Sequence, residues 1–132
     1  MKTAALATIT IEAFERGDID ANCFGHEAHV YAGWLYLNRF PAPIAAELFT
    51  AALRRLTVKL GAADKYHDTI TRFYLLLMTE RLDESSCWER FRKRNSDLFD
   101  RDNNVLYRYY SRERLGSDEA REQFVLPDRI PA

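Results

Sequence analysis

Residues 65–82, KYHDTITRFYLLLMTERL, decide the fold class. Phe73, Tyr74, Leu75, Leu76, Leu77 and Met78 are consecutive, so a helix here is apolar on nearly every side. Such a helix belongs in the middle of a bundle. Asp64 offers a carboxylate to cap its start, which predicts a helix over 64–82 as the central element.

The flanking sequence supplies helices to surround it. Upstream, PAPIAAELFTAALRRLTVKLG (41–61) places Ile44, Leu48, Phe49, Ala52, Leu53, Leu56 and Leu60 on one face, with Arg54, Arg55 and Lys59 turned away. Pro43 in the first turn and Gly61 after the last suit the ends of that helix. Before it, a helix is predicted from His26 to Phe40 and is stopped by Pro41, because the residue ahead of a proline is pushed out of the α region. Leu6, Ile9, Ala13 and Phe14 fall at helical spacing in the first segment, which Gly17 ends. Downstream, SCWE has the form of a capping box from Ser86 to Glu89. NNVLYRYY and SDEAREQF predict two further short helices, the second opened by Ser117 with Asp118 and Glu119 set favourably against the helix dipole. VLPDRIPA is expected to be a tail. No repeat, Gly-Ser linker or low-complexity tract interrupts the chain, so the expectation is one all-α domain over 1–132, a compact bundle of five to seven helices.

Composition bounds what such a protein does. With 132 residues, 47% of them apolar and 13% aromatic, the chain is long enough to bury a core without a disulfide or a structural metal. Nineteen Lys and Arg against 20 Asp and Glu leave a net charge of −1, which gives no general attraction to nucleic acid or to an anionic membrane. The one basic run, Arg90 to Arg94, reads as the solvated face of a short helix. Glu12, Glu15 and Arg16 break the N-terminal apolar run too early for a signal peptide, and no segment approaches the roughly 20 apolar residues of a membrane span. Two cysteines, Cys23 and Cys87, make no disulfide framework, and the expected setting is the reducing cytoplasm.

The candidate chemistry lies in the histidines. His26 and His29 are three apart on a helix and reach a common point, and His67 lies near the start of the 64–82 helix. If the bundle brings those helix starts together, three imidazoles converge on what catalytic Zn²⁺ takes, and imidazole suits Fe as well. Cys23, Glu27, Asp68 and Tyr66 stand nearby as further ligands or second partners. Along the central helix His67, Thr71, Tyr74, Met78 and Arg81 form a polar strip, which is costly in a core unless its members are paired or meet a ligand. In the enzymatic version His26, His29 and His67 hold a metal that activates water or dioxygen, with Tyr66, Thr71, Tyr74 or Arg81 orienting a small-molecule substrate. Two other versions stand beside it: a metal-free pocket using the same residues for binding or proton transfer, and an interaction module or accessory subunit whose histidines are structural. Whether the protein is a homodimer stays open.

Other motifs fail. DRDNN starts like a calcium loop, but Val105 stands where glycine is needed and Ser111 where glutamate is needed. The Glu-x-x-His pairs of di-iron bundles, phosphate loops, glycine-rich dinucleotide turns and nucleophile elbows are missing, and HEAH is one residue short of a zinc-protease motif.

The ordered set FGHEAHVYAGWLYL, KYHDTITRFYLLL, NSDLF and YYSRERLGSDEAREQFVLPD resembles a pattern found in a family of small all-helical bacterial proteins of unassigned function. The likeness covers residues 14 to 128. It implies that His26, His29, Trp34, Tyr66, His67, Thr69 and Thr71 belong to one constellation, with Cys23 outside it, and it implies no activity.

Overall fold

A computed structural model describes residues 6–84 and 86–129. The first five residues and the last three of the expected tail lie outside them. Among the described residues there is no strand, and seven complete α-helices occur: α1 Ile11–Arg16, α2 His26–Arg39, α3 Ala42–Lys59, α4 Asp68–Arg81, α5 Trp88–Arg94, α6 Arg112–Leu115 and α7 Asp118–Glu122. The chain is all-α, and it divides into two compact units, residues 1–66 and 67–132.

In the first unit, helix ends follow local chemistry. The Thr10 side chain accepts the Ala13 N–H to open α1, and Gly17 closes it with a left-handed φ of 74° that a side chain would resist. Pro41 stands immediately before α3, whose first turn contains Pro43, and Gly61 follows at a φ of 70°. Helices α1, α2 and α3 pack on one another around three rings. Phe14 stacks on Phe49 at 5.3 Å, and Tyr36 meets both edge-on at 5.9 and 5.4 Å. Edge-on and stacked rings are the favourable aromatic geometries, and all three are buried. The Tyr36 hydroxyl, at the end of this buried ring, donates to Glu15, whose carboxylate also accepts from Arg55 at 2.9 Å.

The face of α3 differs from the one the periodicity suggests. Phe49, Ala52, Leu53 and Leu56 are buried as expected, joined by Ala45, but Ile44, Leu48 and Leu60 are exposed. The helix has two adjacent apolar stripes, and only one is turned inward.

In the second unit α4 is the longest helix and packs on α7. It starts at Asp68, four residues later than the sequence suggests. Asp64 sits instead in a separate 3-10 turn, and the cap of α4 is His67. Nor is the helix apolar all round: Phe73, Leu75, Leu77 and Met78 are buried, while Leu76 is 51% exposed. Phe73 packs between Tyr109 at 4.9 Å and Tyr110 at 5.2 Å. The Ser86 capping box does not form. Cys87 is the cap residue of α5, which puts Glu89 one position short of the reciprocal bond, and Ser86 takes a left-handed φ of 49°. Ser117 does cap α7, by accepting the Ala120 N–H.

Candidate functional site

His67 ends an extended stretch and begins α4, and its ring is buried. Nδ1 accepts the Ile70 N–H at 3.2 Å, which satisfies one of the orphan donors at the helix start. An accepting Nδ1 is unprotonated, so the proton is on Nε2, and Nε2–H donates to the Leu115 carbonyl at 2.7 Å. One imidazole thus caps α4 and ties it to the end of α6. Burial holds the His67 pKa below 6.5, opposed by the Leu115 carbonyl, with Arg121 lowering it further and Asp68 raising it.

Two residues on, Thr69 is completely buried and extends the same connection. Its Oγ1–H donates to the Gln123 carbonyl at 3.0 Å and the oxygen accepts the Val125 N–H at 3.1 Å. The Tyr110 hydroxyl donates to the Val125 carbonyl at 2.7 Å, and Arg114 Nε donates to the Leu126 carbonyl at 2.6 Å. Ser111 gives both its N–H and its hydroxyl to the Asp128 carboxylate, at 2.7 and 2.6 Å. Those two bonds hold the Asp128 pKa below its usual value. Residues 125–129 of the expected tail, together with Gln123 just before them, are therefore a strap laced to α4 and to the 109–114 segment. Nothing in local periodicity announces such bonds, because their partners lie far away in sequence.

The rest of the polar strip is also spoken for within the protein. Thr71 Oγ1–H donates to the His67 carbonyl at 2.8 Å. The Tyr74 hydroxyl is 3.5 Å from Asn104 Oδ1, and burial pushes its pKa up to about 12. Arg81 pairs with Asp97 at 2.7 Å, so the strip ends in an ion pair. Among the described residues no buried side-chain nitrogen or oxygen lacks a hydrogen-bond partner. The cost of a polar strip in a core is met here by protein partners.

Tyr66, His26 and His29 belong to the first unit. Tyr66 is buried, with the Arg54 guanidinium 4.4 Å above its ring. His26 opens α2, half-buried, and His29 follows one turn later against the Phe24 ring at 4.1 Å. His29 Nδ1–H donates to the Gly25 carbonyl at 3.0 Å, which leaves its lone pair on Nε2. Burial lowers the His29 pKa, the Gly25 bond works against that, and His26 adds to it. Cys23 and Cys87 are exposed free thiols. Among the described residues no group of three or more His, Cys, Asp or Glu side chains is placed so as to hold a metal ion. No helix of the described residues is long and apolar enough to cross a membrane.

No protein-family model, curated protein or solved structure matches the chain.

Proposed function

We propose that the protein is a non-catalytic helical module, an interaction domain or accessory subunit, in which His67 serves the fold. One observation carries this reading: both His67 nitrogens are bonded to backbone groups. A neutral imidazole has one donor and one acceptor, and a metal ion or a proton in transit would need the position that caps α4. The segments KYHDTIT and FVLPD then share a structural reason for their residues, since Thr69 and Val125 bond directly. The two exposed thiols support a reducing compartment such as the cytoplasm.

A second reading keeps a ligand at the other two histidines. His29, with Nδ1–H fixed on a carbonyl and its lone pair on Nε2, has the arrangement common in metal-ligating histidines. A divalent transition metal such as Zn or Fe, or a small molecule, would be its ligand, and His67, Tyr66, Thr71 and Tyr74 would have to leave their present partners to join a shared site.

His67→Leu separates these readings. If His67 is structural, the exchange strands the Ile70 N–H and the Leu115 carbonyl and lowers stability by roughly 1–3 kcal/mol, with bound metal unchanged. Elemental analysis of untagged protein and urea unfolding of both forms measure the two effects. Near-stoichiometric metal that disappears in His67→Leu, with metal-free stability retained, would refute the module reading.

A further inference from the structure

Helix α3 is apolar on two sides. The side centred on Phe49 and Leu53 is buried. On the other, Ile44, Leu48 and Val58 are 52%, 38% and 66% exposed. Ala51, also exposed, lies between them. At 3.6 residues per turn these four fall in one stripe about 21 Å long. Isolated exposed apolar residues are ordinary, whereas a row along one helix is the pattern of a contact face.

The ends of the stripe match about Ala51, with Ile44 seven residues before it and Val58 seven after, while Leu48 has Arg54 as its counterpart. If a second α3 is laid on it antiparallel, Ile44 meets the second copy's Val58, and Ala51 meets Ala51. The smallest residue thus stands where the helices cross, which permits an axis separation near the lower end of the usual range, about 8 Å. Charge selects the same arrangement. Glu47 and Arg55 lie on the exposed side, one on either side of Ala51. Antiparallel pairing sets each Glu47 against the other copy's Arg55, while parallel pairing would set like against like. Arg55 holds Glu15 at 2.9 Å within its own unit, and a guanidinium has further N–H groups to give.

We infer that this face of α3 is a docking surface for a second copy of the chain, paired antiparallel about a two-fold axis at Ala51. The inference rests on the interaction-module reading and names its partner.

Sedimentation of the full chain tests it. Wild type is expected to dimerise with rising concentration, and Ala51→Glu, which places two carboxylates at the axis, to weaken the dimer roughly tenfold or more. Glutamate is a good helix former at this exposed position, and circular dichroism checks that the variant folds. In a Cys23→Ser, Cys87→Ser background, Ala51→Cys should give a covalent dimer on mild oxidation. An Ile44→Cys chain should link to a Val58→Cys chain better than either links to itself. A monomer at several hundred micromolar, or a dimer indifferent to Ala51→Glu and not linked through Ala51→Cys, overturns the inference. Either result leaves the module reading in place, because that reading fails only if His67 proves necessary for a bound metal or ligand.

Discussion

Thr69→Val probes the strap directly. Valine keeps nearly the same shape in this fully buried position and removes only the hydroxyl. The hydroxyl makes two bonds, one to the Gln123 carbonyl at 3.0 Å and one from the Val125 N–H at 3.1 Å. Each net hydrogen bond contributes about 1 kcal/mol, and a stranded buried donor such as the Val125 N–H costs about 1–3 kcal/mol. The expected loss is therefore about 2 kcal/mol, a large share of the roughly 5–15 kcal/mol that holds a domain together. At a urea dependence of about 2 kcal/mol per molar, the midpoint should fall by about 1 M. Tryptophan fluorescence can follow the transition, since Trp34 belongs to the first unit and Trp88 to the second. Hydrogen exchange then localises the effect, with the Val125 amide losing at least about tenfold in protection, the equivalent of about 1.4 kcal/mol. If the midpoint moves by less than about 0.2 M and Val125 stays protected, Thr69 does not hold the strap.

Acid should weaken the second unit. The unfolded chain protonates its histidine near 6.5, while folded His67 is held lower, so the unfolded state binds more protons below that pH. Stability should be full above pH 6.5, decline as pH falls through it and level off below the folded pKa, and urea midpoints across pH 5 to 8 should show a shallower decline in His67→Gln. Arg81→Ala should cost about 1 kcal/mol through loss of the partly buried pair with Asp97, and the Asp97 pKa should rise when followed by carboxyl NMR. Leu76→Gln should change stability by no more than about 0.5 kcal/mol by urea unfolding, because this leucine is half exposed despite standing among five buried or half-buried apolar neighbours.

Helix boundaries were legible wherever a single residue dictates backbone geometry. Gly17, Pro41, Gly61 and Ser117 each do what their chemistry requires. The inward face of α3 was not, because two neighbouring apolar stripes merge into one broad signal, and periodicity does not say which stripe meets the core. The start of α4 was missed for a different reason. A histidine can cap a helix or bind a ligand with the same lone pair, and only the Ile70 N–H at 3.2 Å distinguishes the two. The strap around Thr69 was invisible for want of any local pattern, although Thr69 does belong to the constellation implied by the sequence resemblance.

The bonds that close the second unit also constrain the order in which it can form. His67 and Leu115 are 48 residues apart, and Thr69 and Val125 are 56 apart. Closing a loop of about 50 residues costs on the order of 3–4 kcal/mol in chain entropy before any contact repays it. During synthesis at roughly 5–20 residues per second, α4 would wait about 3–10 s for the residues that fasten His67 and Thr69 at its start. The first unit faces no such delay, because α1, α2 and α3 leave the ribosome in immediate succession. For those seconds Phe73, Leu75, Leu77 and Met78, all buried in the finished unit, await part of their cover, and the interval ends only when the strap has been made.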